Sequence, residues 1–153
     1  MLGRYDRVTF RGFRFNRKTV RMIRWAERRA GFKFTIAQGS FNAGGVAASA
    51  GTHDGSALDV GAAGLSRERR TAIVHALKDA GFAAWYRSPA DGFAPHIHAI
   101  PLDDKQVSSA ARDQLVQYDL RRNALANNAP DRTYRPSPRV RWSYTLNRPV
   151  RRK

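Results

Sequence analysis

Residues 49–60, SAGTHDGSALDV, and residues 96–100, HIHAI, decide how this chain is read. In the first stretch Leu58 and Val60 alternate with Ala57 and Asp59, the two-residue period of a short strand with one buried face, so Asp59 points away from the apolar side. In the second, His96 and His98 stand two apart in an otherwise apolar run, and both imidazoles leave the strand on the same face. Two such rings are hard to bury without partners. His53 lies in the loop just ahead of Asp59. Two histidines and a carboxylate brought together by neighbouring strands make three protein ligands and leave an open position, the ligand count of a catalytic zinc site. His75, the fourth histidine, falls mid-helix between Val74 and Ala76 and reads as a solvated helix residue.

The sequence around these stretches predicts an α+β domain. Residues 16–30 read as a helix with Asn16 as N-cap and Gly31 just past its end, burying Val20, Ile23, Ala26 and Ala30 and exposing a ridge of Arg17, Arg21, Arg24 and Arg28. Residues 32–38 alternate like a half-buried strand, and the Gly-, Ala- and Ser-rich residues 39–56 form a long loop of the kind that carries function. After the strand at 57–60, Ser66 caps a helix that runs to Ala80 and stops at Gly81. Residues 82–87 and 96–100 are two more strands, joined by the Pro- and Gly-bearing loop 88–95. A third helix is expected over 107–122. The expected architecture is a small antiparallel sheet with helices on one side and the metal site on the other face. A domain over 1–122 is followed by an irregular, Pro- and Arg-rich basic tail over 123–153 that wraps the domain through Tyr134, Trp142 and Tyr144.

Composition narrows the chemistry. The 153 residues contain no Cys, which excludes disulfide scaffolds, thiolate metal sites and cysteine nucleophiles together. Any metal must use His and carboxylate. The net charge of +16 is segregated: residues 1–33 carry 11 Lys and Arg against 2 acids, residues 34–120 carry 7 against 9, and residues 121–153 carry 10 against 1. The two basic ends suit a polyanion, whereas the middle suits a different task. No apolar run reaches membrane-spanning length, and the opening MLGRYDRVTF lacks the apolar stretch of a signal peptide. A soluble, monomeric protein is expected, cytoplasmic until released or virion-associated if phage-encoded.

SAGTHDGSALDV followed by HIHAI resembles the zinc D-Ala-D-Ala carboxypeptidase and Hedgehog-like metallopeptidase superfamily, whose motif is S-x-H-x-x-G-x-A-x-D and then a late H-x-H or W-x-H. IAQGSFNAGG, GFAAWYR and HIHAIPLDD are similar to small actinobacterial and phage-type members, so the resemblance covers roughly residues 8–120. Members include D,D-carboxypeptidases, D,D-dipeptidases and L-alanyl-D-glutamate endopeptidases that cut peptidoglycan. By this resemblance His53, Asp59 and His98 hold zinc, and His96 stabilises the oxyanion or a substrate carboxylate. Two features depart from the pattern. The His53-to-Asp59 spacing is one residue short, with Gly51 in the place of the motif's Ser, and Pro95 occupies the slot of the usual catalytic Glu. Asp91 is then the nearest acid for a general base.

What the resemblance implies is metal-assisted amide hydrolysis, with Asp91 moving the proton and His96 donating to the developing oxyanion. Gln38, Ser40 and Arg87 are candidates to contact the substrate peptide or its carboxylate. The expected partners are a bacterial cell-wall peptide and, through the basic ends, an anionic wall polymer. The alternative is a catalytically degenerate module that binds cell wall or nucleic acid; Arg with interspersed aromatics suits single strands, but no nucleic-acid motif is present.

Overall fold

The computed structural model describes residues 3–42 and 51–151. Residues 43–50, within the loop anticipated over 39–56, lie outside the described residues, as do the tail's last two. The chain is α+β: β1 (Arg7–Phe10), β2 (Phe13–Asn16), α1 (Arg17–Ala30), β3 (Ile36–Gln38), β4 (Leu58–Gly61), α2 (Arg67–Ala80), β5 (Phe82–Arg87), β6 (His96–Pro101), α3 (Ser109–Asp119), β7 (Val140–Ser143) and β8 (Arg148–Arg151). Among the described residues no helix is long and apolar enough to cross a membrane.

Local chemistry sets the helix ends. The Asn16 side chain accepts from the Thr19 amide, the Ser66 side chain from Arg69 and the Ser108 side chain from Ala111, which satisfies amides that helix geometry leaves open. Gly31 and Gly81 close α1 and α2 at φ 91° and 109°. At Gly81 a side chain would also meet the Trp142 backbone nitrogen at 3.1 Å, so this glycine both ends α2 and lets β7 approach. The buried stripe of α1 contains Ile23 and Ala26 as anticipated, but it is completed by Thr19, Met22 and Glu27, with Val20 and Ala30 only partly covered.

The central sheet is antiparallel in the order β3-β4-β6-β5, pairing Asp59 with His98 and His98 with Trp85. One face, with Leu58, Val60, Phe82, Ala84, Ile97 and Ala99, packs into the main core with residues of α1 and α2. The other carries Asp59, His96 and His98. It is not free of helix: Ala83, Trp85 and Ile100 on this side cluster with Ala111 and Tyr118 of α3, so α3 flanks the site face.

Three expectations change. The strand anticipated over 32–38 shrinks to Ile36–Gln38, because the Phe34 amide donates to the Glu27 carboxylate at 2.6 Å instead of to a ladder partner. Glu27 also takes both Arg11 guanidinium nitrogens at 2.6 and 2.9 Å, tying α1 to the β1–β2 hairpin. That hairpin turns at Arg11 and Gly12, both at positive φ, and was not anticipated. The tail is not irregular throughout. It forms the β7–β8 hairpin, and Val140 and Trp142 are buried, Trp142 within the main core. Tyr144 packs partly against that core, while Tyr134 is exposed.

Lys78 supplies a pH-dependent test of this packing. It is buried, donates to Thr133 Oγ1 at 2.8 Å and to the Tyr134 carbonyl at 2.6 Å, and burial lowers its pKa to about 8. The unfolded chain, with an ordinary lysine, binds more protons from pH 8 upward, so unfolding free energy rises with pH through that window. Burial lowers the Lys18 pKa in the same direction, and burial that raises the Tyr118 pKa to about 12 opposes the trend only above pH 10. Urea midpoints measured from pH 7.5 to 9.5 are expected to rise, and Lys78→Met to flatten much of the slope. A midpoint that falls across this range would contradict the assignment.

Candidate metal centre

Strand pairing brings Asp59 and His98 together, and the loop before β4 delivers His53. That loop is clamped on both sides: the Phe41 and Asn42 amides donate to the Gly55 and His53 carbonyls at 2.7 Å, and the Ser56 amide to the Gln106 carbonyl at 3.2 Å. Gly55 permits this approach. A side chain there would collide with the Gln106 carbonyl and the Ser108 nitrogen, and its φ is not in the left-handed region, so it serves through absent bulk, not an unusual dihedral. This clamped turn sets His53 Nε2 3.2 Å from Asp59 Oδ1.

One ligand atom from each of His53, Asp59 and His98 falls within 4.8 Å of the others, and all three residues are buried. His53 Nε2 lies 3.2 Å and His98 Nδ1 2.9 Å from the same oxygen, Asp59 Oδ1. Donors on a tetrahedral ion with bonds of ~2.0–2.1 Å are about 3.3 Å apart, which the His53 separation matches, while 2.9 Å at His98 is the length of a hydrogen bond. Asp54, the other acid of the loop, is exposed and outside the group.

Proton bookkeeping supports the same conclusion. His53 Nδ1 faces the Gly39 carbonyl at 3.2 Å, which can only accept, so Nδ1 carries the hydrogen and Nε2 presents a lone pair. His53 Nε2 is buried and has no aligned hydrogen-bond partner despite its closeness to Asp59. His98 lies between two acceptors, Gln114 Oε1 at 2.8 Å from Nε2 and Asp59 Oδ1 at 2.9 Å from Nδ1. Burial lowers its pKa against the raising effect of Asp59, which favours the neutral ring. Burial by itself would raise the Asp59 pKa, but the adjacent His53 and His98 outweigh it and hold the carboxyl below the ordinary range. A neutral His98 that donates to Gln114 turns its Nδ1 lone pair inward. Without an ion, His98 Nδ1 lies 2.9 Å from a carboxylate oxygen that can only accept and so carries the hydrogen; a bound cation would take its place, with the ring donating to Gln114 through Nε2 and two imidazole lone pairs and the carboxylate turned to the ion. These residues could hold a metal ion.

Comparison with protein-family models, with curated proteins and with solved structures gives no match.

The remaining anticipated residues fall in different places. His96 borders the group: its Nε2 is 3.9 Å from Asp59 Oδ2, while its Nδ1 is bonded to the Ala94 carbonyl at 2.8 Å. Asp91 does not join the group. Its Oδ2 accepts from both the Ser88 amide and hydroxyl at 3.1 Å, which makes it the cap of the single turn Pro89–Asp91. The buried Ser40 hydroxyl donates to the Ser56 carbonyl at 3.0 Å and latches the ends of the loop. Gln38 pairs with Asp59 across β3 and β4 and so shares the site face. Arg87 is buried beside Trp85, its cation 5.1 Å above the indole, and burial lowers its pKa to about 10.

Two contributors were missed. Gln114 on α3 orients His98, and Trp85 on β5 lies nearly parallel to the His98 ring at 6.1 Å. The strand register could have revealed Trp85, because it stands opposite His98. Gln114 left no local signal.

Proposed function

We propose that the protein is a zinc-dependent peptidoglycan peptidase that hydrolyses an amide bond of cell-wall peptides, of the D,D-carboxypeptidase or L-alanyl-D-glutamate endopeptidase type. The observation that carries this proposal is the convergence of His53 Nε2, His98 Nδ1 and Asp59 Oδ1, with the outer nitrogen of each ring held by an oxygen acceptor. Two imidazoles and one carboxylate without thiolate suit zinc, and all-oxygen ions such as calcium or magnesium poorly. When bound at such a site, zinc polarises a carbonyl and lowers the pKa of water toward about 7. The protein's own residues then do the rest. Gly39 and Gln114 fix the two rings, and Trp85 shields one side of His98. His96 is partly open to solvent and its Nε2 is free to meet a substrate oxygen.

Zinc calorimetry and muropeptide digestion followed by mass spectrometry test this together. One zinc per chain and release of a defined peptide fragment are expected. His96→Ala is expected to keep zinc and lose about a hundredfold in hydrolysis, the scale of one oxyanion donor. Loss of zinc in that variant would instead make His96 a ligand.

One observation favours a second function. Asp91 is engaged in its own turn, and no other carboxylate joins the cluster among the described residues, which suits a metal-bearing module that binds wall peptide or nucleic acid without cutting. Bound zinc with muropeptide affinity and no cleavage would select it. Asp91→Asn separates the two, because Asn still accepts from Ser88 and preserves the turn: a hundredfold loss of hydrolysis, on the scale of about 10²–10⁴ for a general base, would keep Asp91 in that role.

A further inference from the structure

Arg87 is 3% exposed, and among the described residues its guanidinium has one hydrogen-bond acceptor, the Asn123 carbonyl at 2.6 Å. It lines a cavity of about 470 Å³ between α2 and residues 123–133, within the size range of small-ligand sites. Arg67, Arg70 and Arg132 line the same cavity, and none of the four pairs with a carboxylate among the described residues. A guanidinium stays charged when buried, and buried charges in proteins are normally paired. The cavity's two acids are engaged elsewhere: Asp91 accepts from the Ser88 amide and hydroxyl, and Asp131 from the Thr133 amide and hydroxyl. Four guanidinium groups against two carboxylates leave an excess of two positive charges.

Helix stability does not explain that excess. Arg67 and Arg70 sit in the first turn of α2, where aligned peptide dipoles and open amides favour an anion and disfavour cations. The four side chains come from three segments, namely α2, β5 and the stretch after α3. A carboxylate offers one planar edge to one guanidinium fork, whereas a phosphate presents oxygens in several directions and can take several forks. A phosphate monoester is also a dianion above its second pKa of about 6, which matches the charge excess; a diester is a monoanion. Val74, Leu125 and Pro130 add an apolar wall for the organic part of such an ester.

We propose that this cavity binds a phosphate monoester, with Arg87 as the buried counter-ion and Arg67, Arg70 and Arg132 as further donors. The lining includes none of His53, Asp59, His96 or His98, so the site is separate from the metal group and does not depend on the peptidase function.

The test titrates inorganic phosphate, phenyl phosphate, dimethyl phosphate and acetate calorimetrically into the full-length protein, at about pH 8 and constant ionic strength, with and without zinc. One inorganic phosphate per chain is expected, with the same affinity whether or not zinc is present. Phenyl phosphate should bind at least as tightly, and dimethyl phosphate and acetate at least about tenfold more weakly. Arg87→Met is expected to weaken phosphate at least about tenfold, and Arg87→Lys to recover only part, because an ammonium lacks the fork. If Arg87→Met does not fold, Arg67→Ala and Arg132→Ala serve instead, each weakening phosphate by about two- to fivefold. Arg28→Ala, on the exposed side of α1 and outside the cavity, should leave it unchanged. No saturable phosphate binding overturns the proposal, as does an equal loss in Arg28→Ala, the mark of non-specific attraction to a basic protein. Binding that needs zinc would place the phosphate at the metal group and overturn it too. Dimethyl phosphate or acetate bound as tightly as phenyl phosphate would overturn the monoester assignment.

Discussion

Alanine in place of His53, Asp59 or His98 is expected to abolish stoichiometric zinc binding and, with it, all measurable muropeptide hydrolysis. Each supplies one of three donors within 4.8 Å, and two donors do not hold zinc at a site of this kind. His53→Ala removes a ring with no exposed surface, and His98→Ala also releases Gln114. Asp59→Asn is the sharper variant. It keeps the volume and a possible acceptor but loses the negative charge that a cation held between the two imidazoles needs, so it should retain the fold and lose the metal. Elemental analysis and circular dichroism on the same preparations check this. A zinc-loaded wild type without stoichiometric metal would remove the metallopeptidase proposal. Full zinc retention in Asp59→Asn would remove the present ligand set, and Asp54, exposed and apart from the group, should be dispensable in every assay.

Deletion of residues 129–153 is expected to unfold the protein, not merely to weaken its attraction to polyanions. Trp142 is 4% exposed inside the main core, and truncating such a side chain to alanine typically costs about 3–5 kcal/mol. The deletion also uncovers the core beside Val140. It also removes both acceptors of the Lys78 ammonium, Thr133 Oγ1 and the Tyr134 carbonyl, along with the segment that covers it. Against a total stability of about 5–15 kcal/mol these losses are decisive. A truncated chain with a cooperative thermal transition near that of the full-length protein would show that the hairpin is auxiliary. Trp142→Ala should lie between the two, folded but with a lower melting temperature.

Much of the fold was legible because much of its chemistry is local. The caps at Asn16 and Ser66 and the stops at Gly31 and Gly81 act over three or four residues, so the sequence announces them. The face shared by His96 and His98 follows from the period of a strand and needs no partner to be known. The metal group was legible in part: the strand pattern presented Asp59 and His98, while His53 entered as a ligand through a resemblance. The β1–β2 hairpin was hidden because its turn places Arg11 at a φ of 54°, which composition does not suggest. Asp91 was assigned to chemistry, yet its nearest partner is Ser88, three residues away, and the turn claims its carboxylate.

By itself, then, the sequence determined the helix boundaries, the antiparallel strand faces and the donor types that any metal here must use. The tertiary structure decided which donors meet, that α3 brings Gln114 to His98, that Arg87 is buried against Asn123, and that Trp142 of the basic tail completes the core. The physical reason is range. Caps and strand periodicity are set by neighbours along the chain. Burial, lone-pair convergence and the pairing of charge depend on residues brought together from 16 to 55 positions apart, where no local propensity can indicate the partner.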